Sequence, residues 1–356
     1  PQETEICSGS AIVKAPEYND AAQLVTYYDG QARLKVARVL RDGAIAGDDC
    51  EGTLVDDAVT GLIPGFALGN GPEWGFSARG HEIYYTRLGV QGRPWLARAW
   101  FDRGWRSERL ASGRDRGLPL VSTDAADAAP RLLYVRTWPG GHHVLAWRDA
   151  SDPATEALVD ATIGLGSASA PRWVPGERAL SMARPDAGGV HQAYRHHVDA
   201  GTYQALTADA GHKDEVQMWA APEFQGGQAM LTVVDGCCLR LYRDVGGAWA
   251  VVREIDAASF SALPGIYSPE LLVHEGVSWV VMQLSSQRYS SSEIWIVAPL
   301  VPQAPPIRLS DPALPLRVLS EPEWVRTPGG VFVYATLGGR QAPPRLLRLQ
   351  TPLQVR

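Results

Sequence analysis

Ala170-Pro-Arg-Trp-Val-Pro-Gly-Glu-Arg-Ala-Leu-Ser-Met-Ala-Arg184 is the clearest hairpin signal in this chain. Its Pro175-Gly176 pair is typical of a turn, because proline presets φ and glycine accepts positive φ. The residues on both sides favour strands, so the stretch predicts two short antiparallel strands. Its opening, a proline followed two places on by a large apolar residue, recurs along the sequence. The prolines of the seven copies are Pro16, Pro72, Pro130, Pro171, Pro222, Pro269 and Pro322.

The copies are regularly spaced. Consecutive prolines are 56, 58, 41, 51, 47 and 53 residues apart, and the two ends of the chain together supply one more period. Strand-rich repeats of about 40–50 residues are typical of β-propellers, in which each blade covers the faces of its neighbours. We therefore predict an all-β fold, a single seven-bladed β-propeller domain over residues 1–356, with four-stranded antiparallel blades that open at these prolines. The N-terminal strand is expected to complete the last blade and protect its edge.

The sequence between the motifs supports this interpretation. In the first repeat, β-favouring runs at 23–28 and 34–40 flank Asp29-Gly30, and in the fifth repeat the runs 229–234 and 239–243 flank Asp235-Gly236. Asp-Gly is favoured in two-residue hairpin turns, which require positive φ. No window shows an apolar period of 3.6 residues sustained over a helical length.

The composition excludes two classes of partner. The chain has 356 residues, is 45% hydrophobic and carries a formal net charge of −6. Nucleic-acid binding requires a basic face, which this balance does not supply. No apolar run approaches the ~20 residues of a membrane-spanning helix. We therefore expect no nucleic-acid partner and no membrane span.

The four cysteines form two plausible pairs. Cys7 and Cys50 flank the first repeat, whereas Cys237 and Cys238 are adjacent. A disulfide between Cys7 and Cys50 would tie the N-terminal strand to the loop at 47–70. A disulfide between Cys237 and Cys238 would present a rigid apolar surface at the channel mouth, with the backbone strain that functional sites often hold. Two disulfides indicate a secreted or periplasmic protein, and four unrelated thiols are the alternative.

The fourth repeat resembles the repeat of TolB-type propellers. That repeat reads Pro-x-Trp-Ser-Pro-Asp-Gly, a strand, Ser-x-Arg-x-Gly, an Ile-Tyr strand and Arg-x-Leu-Thr. Here the matching segments are 170–176, 183–188, 192–194 and 204–207, and the second repeat matches in part at 71–74, 76–80 and 82–85. The family includes binding proteins, peptidase propellers and lyases. The resemblance therefore implies an architecture and carries over no catalytic residue.

The loop into the fifth repeat is the first candidate site. It brings together His212, Lys213, Asp214, Glu215 and, at the end of the loop, Trp219. These residues predict a clamp for a polar ligand, with the indole as a stacking surface. A solvated loop, with the indole packed between blades, is the alternative.

Two further side chains are candidates at the same mouth. Tyr267, in the loop into the sixth repeat, is expected to line the channel. Arg288 lies near a turn, where its guanidinium could pair with a carboxylate or a uronate. Either His212 or Tyr267 could act as a catalytic base beside it.

Histidines of the third and fourth repeats are the candidates for a metal. Imidazoles of neighbouring blades could share an ion. They are His142, His143, His191, His196 and His197. No metal-binding spacing supports this arrangement, so we predict no cofactor and keep a bound metal as the alternative.

Three functions remain open from the sequence. The favoured one is an extracytoplasmic propeller that binds a small polar ligand or a saccharide at its channel mouth. The second is a polysaccharide-active enzyme, a lyase or a glycoside hydrolase, that uses the same mouth. The third is a protein-interaction scaffold, because fold alone does not determine function.

Overall fold

The computed structural model describes residues 3–7, 14–47, 50–58, 71–89, 92–122, 130–137, 143–159, 171–286, 291–314, 317–338 and 345–355. Twenty-eight strands and three short 3-10 turns, with no α-helix, make up the regular structure of these residues. The strands form seven four-stranded sheets, so the chain is a seven-bladed β-propeller with antiparallel blades, as predicted. Within these described ranges, no helix is long and apolar enough to cross a membrane.

The chain divides into two compact units, an N-terminal unit of residues 7–177 and a C-terminal unit of residues 1–6 and 178–356. Strand β1 covers Glu3–Cys7. The first sheet contains β2 Lys14–Asn19, β3 Leu24–Tyr28, β4 Leu34–Arg38 and β5 Thr53–Asp56. The second sheet contains β6 Glu73–Ser77, β7 Gly80–Leu88, β8 Pro94–Phe101 and β9 Trp105–Arg114. The third sheet contains β10 Arg116–Val121, β11 Arg131–Thr137, β12 His143–Asp149 and β13 Ala157–Val159.

The remaining sheets follow in chain order. The fourth contains β14 Arg172–Trp173, β15 Ala179–Pro185, β16 His191–His197 and β17 Thr202–Ala205. The fifth contains β18 Lys213–Ala220, β19 Gln228–Val234, β20 Cys238–Val245 and β21 Ala248–Asp256. The sixth contains β22 Gly265–His274, β23 Val277–Ser285, β24 Ser292–Val297 and β25 Ile307–Arg308. The seventh contains β26 Val318–Thr327, β27 Gly330–Gly338, β28 Arg345–Gln350 and, beside β28, β1.

The strand ends of each sheet form two rows, here called its upper and lower edges, that matter for the site. Because the strands follow one another as a meander, the start of the first strand and the turn between the second and third strands lie at the same edge. We call this the upper edge. The turns that join the first to the second strand and the third to the fourth lie at the opposite, lower edge.

A β-bulge interrupts the first strand of five sheets. The register shifts there, and one residue at each bulge has positive φ, which is uncommon for a residue with a side chain. These residues are Ala15, Leu118, Glu215, Ser268 and Glu321. In four of them the next residue is a proline, which lacks the N–H that a regular ladder requires. Three of the repeated prolines, Pro16, Pro269 and Pro322, therefore directly follow the left-handed position of a bulge.

Two motif prolines lie elsewhere than expected. Pro130 lies between the first and second strands of the third sheet, and Pro222 begins the 3-10 turn between β18 and β19. The bulge of the third sheet contains Pro119 instead, next to Leu118. Proline is tolerated in turns as well as in bulges, so its recurrence alone does not separate the two positions.

Strand β1 completes the seventh sheet, as predicted. The carboxylate of Glu3 pairs with Arg317, and Arg345 Nη1 donates to Glu5 Oε2 over 2.7 Å. The predicted disulfide between Cys7 and Cys50 is present and spans 43 residues. The first and last strands described thus share one sheet.

Candidate functional site

The upper edge of the fifth sheet holds the largest part of the predicted site. Lys213 begins β18, and the bulge at Glu215 follows directly. The turn at Asp235-Gly236 has positive φ at both residues, 49° and 71°, as its sequence predicts. His212 N donates to Asp235 Oδ1 over 2.9 Å, and Asp235 N donates to His212 O over 2.9 Å. These two bonds fix the His212 loop against the turn.

A buried ionic network supports this loop from below. The Lys213 side chain is fully buried, and its ammonium donates to the carbonyls of Asp209 and Ala210 and lies 3.3 Å from Asp209 Oδ1. Arg240 and the hydroxyl of Tyr242 also contact the Asp209 carboxylate. Burial alone would raise the pKa of Asp209, but Lys213 and these bonds outweigh it and lower the pKa. Lys213 is therefore occupied within the protein and does not face a ligand, in contrast to the prediction from the sequence.

The part of the site open to solvent consists of two histidines and a carboxyl. His191 N donates to His212 Nδ1 over 3.3 Å, and the two rings meet edge to face with centroids 5.5 Å apart. Burial raises the pKa of the half-buried Asp214, and the charges of His191 and His212 offset part of that rise. A carboxyl with a raised pKa beside imidazoles can exchange protons with a bound molecule as well as hold it.

Sequence reasoning grouped His191 with other strand histidines and overlooked Asp235 as a partner of His212. In a meander sheet, the turn between the second and third strands lies level with the start of the first. Counting strands from the Asp235-Gly236 turn would therefore have brought Asp235 and His212 together. His191 enters from the fourth sheet, a neighbour that the repeat order also indicates.

Cys237 and Cys238 are free thiols, so the expected disulfide between them is absent. Cys237 N closes the turn by donating to Val234 O over 3.1 Å, and Cys238 begins β20, paired with Val234 and Asp256. A bond between adjacent residues would distort the backbone that these ladder pairs hold in place. Burial, and then the bond and charge of Cys237, raise the pKa of Cys238 to about 12. Its thiol is thus protonated and weakly reactive near neutral pH.

The other predicted site residues are spread over the C-terminal unit. Tyr267 is half-buried on β22, and the backbone N–H beside it, of Ile266, donates to Gly236 O over 2.8 Å. Trp219 is 4% exposed, and its indole N–H donates to Ser278 Oγ over 2.9 Å. Its ring belongs to the core cluster with Leu231, Met282 and Trp295, which matches the packing alternative of the sequence analysis.

Two predicted residues, Arg288 and His142, lie outside the described residues. Of the other histidines, His143 bonds to Thr137 Oγ1 over 3.1 Å, and His196 is buried and stacks on Tyr203 with centroids 4.3 Å apart. Over the described ranges, no group of three or more His, Cys, Asp or Glu side chains is placed to hold a metal ion.

The fold and this site define the chain as a β-propeller, and distant structures share that fold. An oligogalacturonate lyase solved in complex with manganese is 10% identical, with a TM-score of 0.59 over 98% of this chain and 93% of that chain. The β-propeller domain of Cps50 (Swd1) from Myceliophteria thermophila is 9% identical, with a TM-score of 0.58 over 98% of this chain and 100% of that chain.

A third likeness is to part of a larger enzyme. A prolyl endopeptidase is 11% identical, with a TM-score of 0.57, and the match covers 97% of this chain but 51% of the endopeptidase. This chain thus spans about half the length of that enzyme. No protein-family model and no curated protein matches the sequence. At these identities the likenesses show the propeller fold alone.

Proposed function

We propose that this chain is an extracytoplasmic propeller that binds a small polar ligand or a saccharide at the upper edge of its fifth sheet. One observation carries the proposal: the rings of His191 and His212 meet edge to face at a loop that the Lys213–Asp209 pair supports, and both histidines act electrostatically on the half-buried Asp214 carboxyl. Carboxyl and imidazole groups both donate and accept hydrogen bonds, as sugar hydroxyls require. A rigid support lowers the entropy lost on binding.

The disulfide between Cys7 and Cys50 supports the extracytoplasmic part of the proposal, because such bonds persist in oxidising compartments. We also propose that the fourth repeat is of the TolB type. Its quoted motif coincides with β14, the turn after it, and β15, and its Tyr194 lies on β16.

The binding function is tested by calorimetric titration of the full chain with neutral and uronate-containing oligosaccharides. We expect one class of oligosaccharide to bind, and we expect H212Q and D214N each to weaken that binding about tenfold, the value of a lost charged hydrogen bond. H197Q is the matched control, because His197 lies at the lower edge of the fourth sheet. Equal affinities in wild type, H212Q and D214N would contradict the proposal.

A second candidate, a polysaccharide-active enzyme, is favoured by the raised pKa of Asp214 beside two imidazoles. In this role Asp214 acts as the proton donor or acceptor and His212 assists it. The test is incubation with uronate-containing and neutral polysaccharides, with unsaturated products and reducing ends as the readouts. Products that are lost in D214N support the enzyme. Binding without any product supports the binding protein.

A further inference from the structure

A cavity of about 540 Å³ opens within the N-terminal unit at the lower edges of the second and third sheets. It is far along the strands from the upper edge, because its lining includes the turn between β6 and β7 and the residues that follow β12. The charged and aromatic side chains that line it are Arg79, Tyr84, Arg98, Glu108, Arg109 and Arg148. Four guanidinium groups and one carboxylate thus line the cavity, and Arg98 also lies 3.7 Å from the buried Glu82 carboxylate behind the lining.

Arg148 is the unusual member of this lining. It is 1% exposed, and its Nη1 donates to the main-chain oxygen of Ala111 over 2.7 Å. Its Nε has no hydrogen-bond acceptor, and no carboxylate of the described residues forms an ion pair with it. A guanidinium stays charged inside a protein, and a buried charge without a counterion is costly. Among the described residues the side chain therefore has no carboxylate bonded to it, and the charge of Glu156 acts on it only from beyond ion-pair distance.

The other arginines are held in place around it. Arg98 donates to Glu108 Oε1 from Nε over 2.8 Å and from Nη2 over 2.6 Å. Arg79 stacks on the Trp100 ring at 4.7 Å, and Arg109 stacks on the Trp95 ring at 4.9 Å. Stacking occupies the face of a guanidinium and leaves its N–H edge available. Arg79 Nη1 lies 3.7 Å from Glu108 Oε1, so Arg109 is the stacked arginine whose edge is open to a planar oxyanion.

We propose that this cavity is an oxyanion-binding site, which takes a small molecule through a carboxylate, phosphate or sulfate group placed against Arg148 and Arg109. Guanidinium groups bind these three anions through paired, charge-assisted hydrogen bonds. The volume is within the range of about 300–1,000 Å³ of small-molecule pockets, so it accommodates a molecule of the size of a sugar acid as well as a free ion.

The test uses the full chain with sodium sulfate, sodium phosphate and sodium galacturonate, and it measures thermal shift and calorimetric affinity. Galactose and sodium chloride at equal ionic strength are the controls for sugar contacts and for screening. We expect saturable binding of at least one oxyanion and none of galactose. Whether sulfate, phosphate or galacturonate binds shows which kind of anionic group the cavity takes.

Variants locate that binding. R109Q should weaken it about tenfold, because one charge-assisted bond is lost, and R148M should abolish it. R106Q is the matched control: Arg106 is an exposed arginine of the same strand that pairs with Asp102 and does not line the cavity. If R148M does not fold, the oxyanion affinity of R109Q compared with that of R106Q tests the proposal. The proposal is overturned by the absence of saturable binding, or by an affinity that R109Q leaves unchanged.

This proposal is independent of the saccharide site. D214N and H212Q alter the upper edge of the fifth sheet and should leave the oxyanion affinity of the cavity unchanged. Failure of oligosaccharide binding in those variants therefore does not bear on the cavity. An oxyanion affinity that D214N abolishes and R109Q preserves would place the binding at the upper edge and overturn the proposal for the cavity.

Discussion

The sequence predicts Lys213 as a ligand contact, but in the structure its side chain is buried and stabilises the His212 loop. Its ammonium is enclosed by two main-chain carbonyls and the Asp209 carboxylate. The same loop exposes His212, one residue earlier. Alternation along the chain thus separates the buried Lys213 from the exposed His212, and spacing alone could not show which would turn inward.

The pair of Lys213 and Asp209 yields a first expectation. D209N should lower the free energy of unfolding by about 2 kcal/mol at neutral pH, because the buried ammonium of Lys213 loses its charged partner, a carboxylate that is itself partly exposed. Urea unfolding measures this loss. D199N is the matched control, since Asp199 forms an exposed pair with Arg178 and should change stability by less than about 1 kcal/mol. Equal losses in D209N and D199N would contradict a buried role for the pair.

The Asp209 carboxylate also affects how the free energy of unfolding changes at acidic pH. The net effect on Asp209 is a lowered pKa in the folded state. The stability that it contributes is therefore fully present above the unfolded pKa of about 3.9 and is lost as the pH falls through the folded pKa. D209N should flatten this acid limb of the curve of unfolding free energy against pH. An unchanged acid limb in D209N would show that Asp209 does not contribute to it.

The pKa of Asp214 shifts in the opposite direction to that of Asp209. Burial raises its folded pKa, so the folded state holds the proton more tightly, and stability falls as the pH rises from the unfolded pKa of about 3.9 through the folded value. D214N removes this loss. We expect the variant to gain stability relative to wild type between about pH 3 and pH 6, below the titration of the histidines. A constant difference across that range would contradict the raised pKa.

At the scale of the strand, the recurring bulge provides a position where glycine does not lower the stability of the strand, as it ordinarily does. Ala15 has a φ of 47°, which is strained for a residue with a Cβ atom. A15G should therefore preserve or raise the free energy of unfolding. A37G, on the regular strand β4, should lower it by about 1 kcal/mol. Chemical denaturation of both variants measures the contrast, and equal losses in the two would show that the bulge is not strained.

Some features of this structure could be predicted from the sequence, and others could not. The number of sheets, the strand character and the Asp235-Gly236 turn follow from local chemistry, and all are present. The position of Pro119 did not follow, because proline suits both bulges and turns. The contact of His191 with His212 joins residues of two sheets, and no local pattern encodes such a contact. The burial of Arg148 could not be predicted either, since only packing shows whether an arginine is buried.

At the scale of the whole molecule, the disulfide between Cys7 and Cys50 closes a long loop. Tyr27 reinforces this closure, since its hydroxyl donates to Cys50 O over 2.6 Å. The double substitution C7S/C50S should lower the free energy of unfolding by about 2–4 kcal/mol, the usual effect of a cross-link of this kind. Denaturation with and without reductant measures it.

The free thiols provide the control for that measurement. C237S/C238S removes no disulfide, so reductant should act on it as it acts on wild type. Reductant should leave C7S/C50S unchanged. Equal sensitivity to reductant in wild type and C7S/C50S would show that another bond is responsible.

The position of β1 beside β28 has a consequence for synthesis of the protein. The side-chain bond between Arg345 and Glu5 joins residues that lie 340 apart in the chain. At about 5–20 residues per second, a ribosome takes on the order of tens of seconds to make that length. During this interval the nascent β1 has no partner strand, and an unpaired strand edge favours aggregation. A chaperone that shields the newly made β1 should therefore increase the yield of folded protein more than one that acts after release.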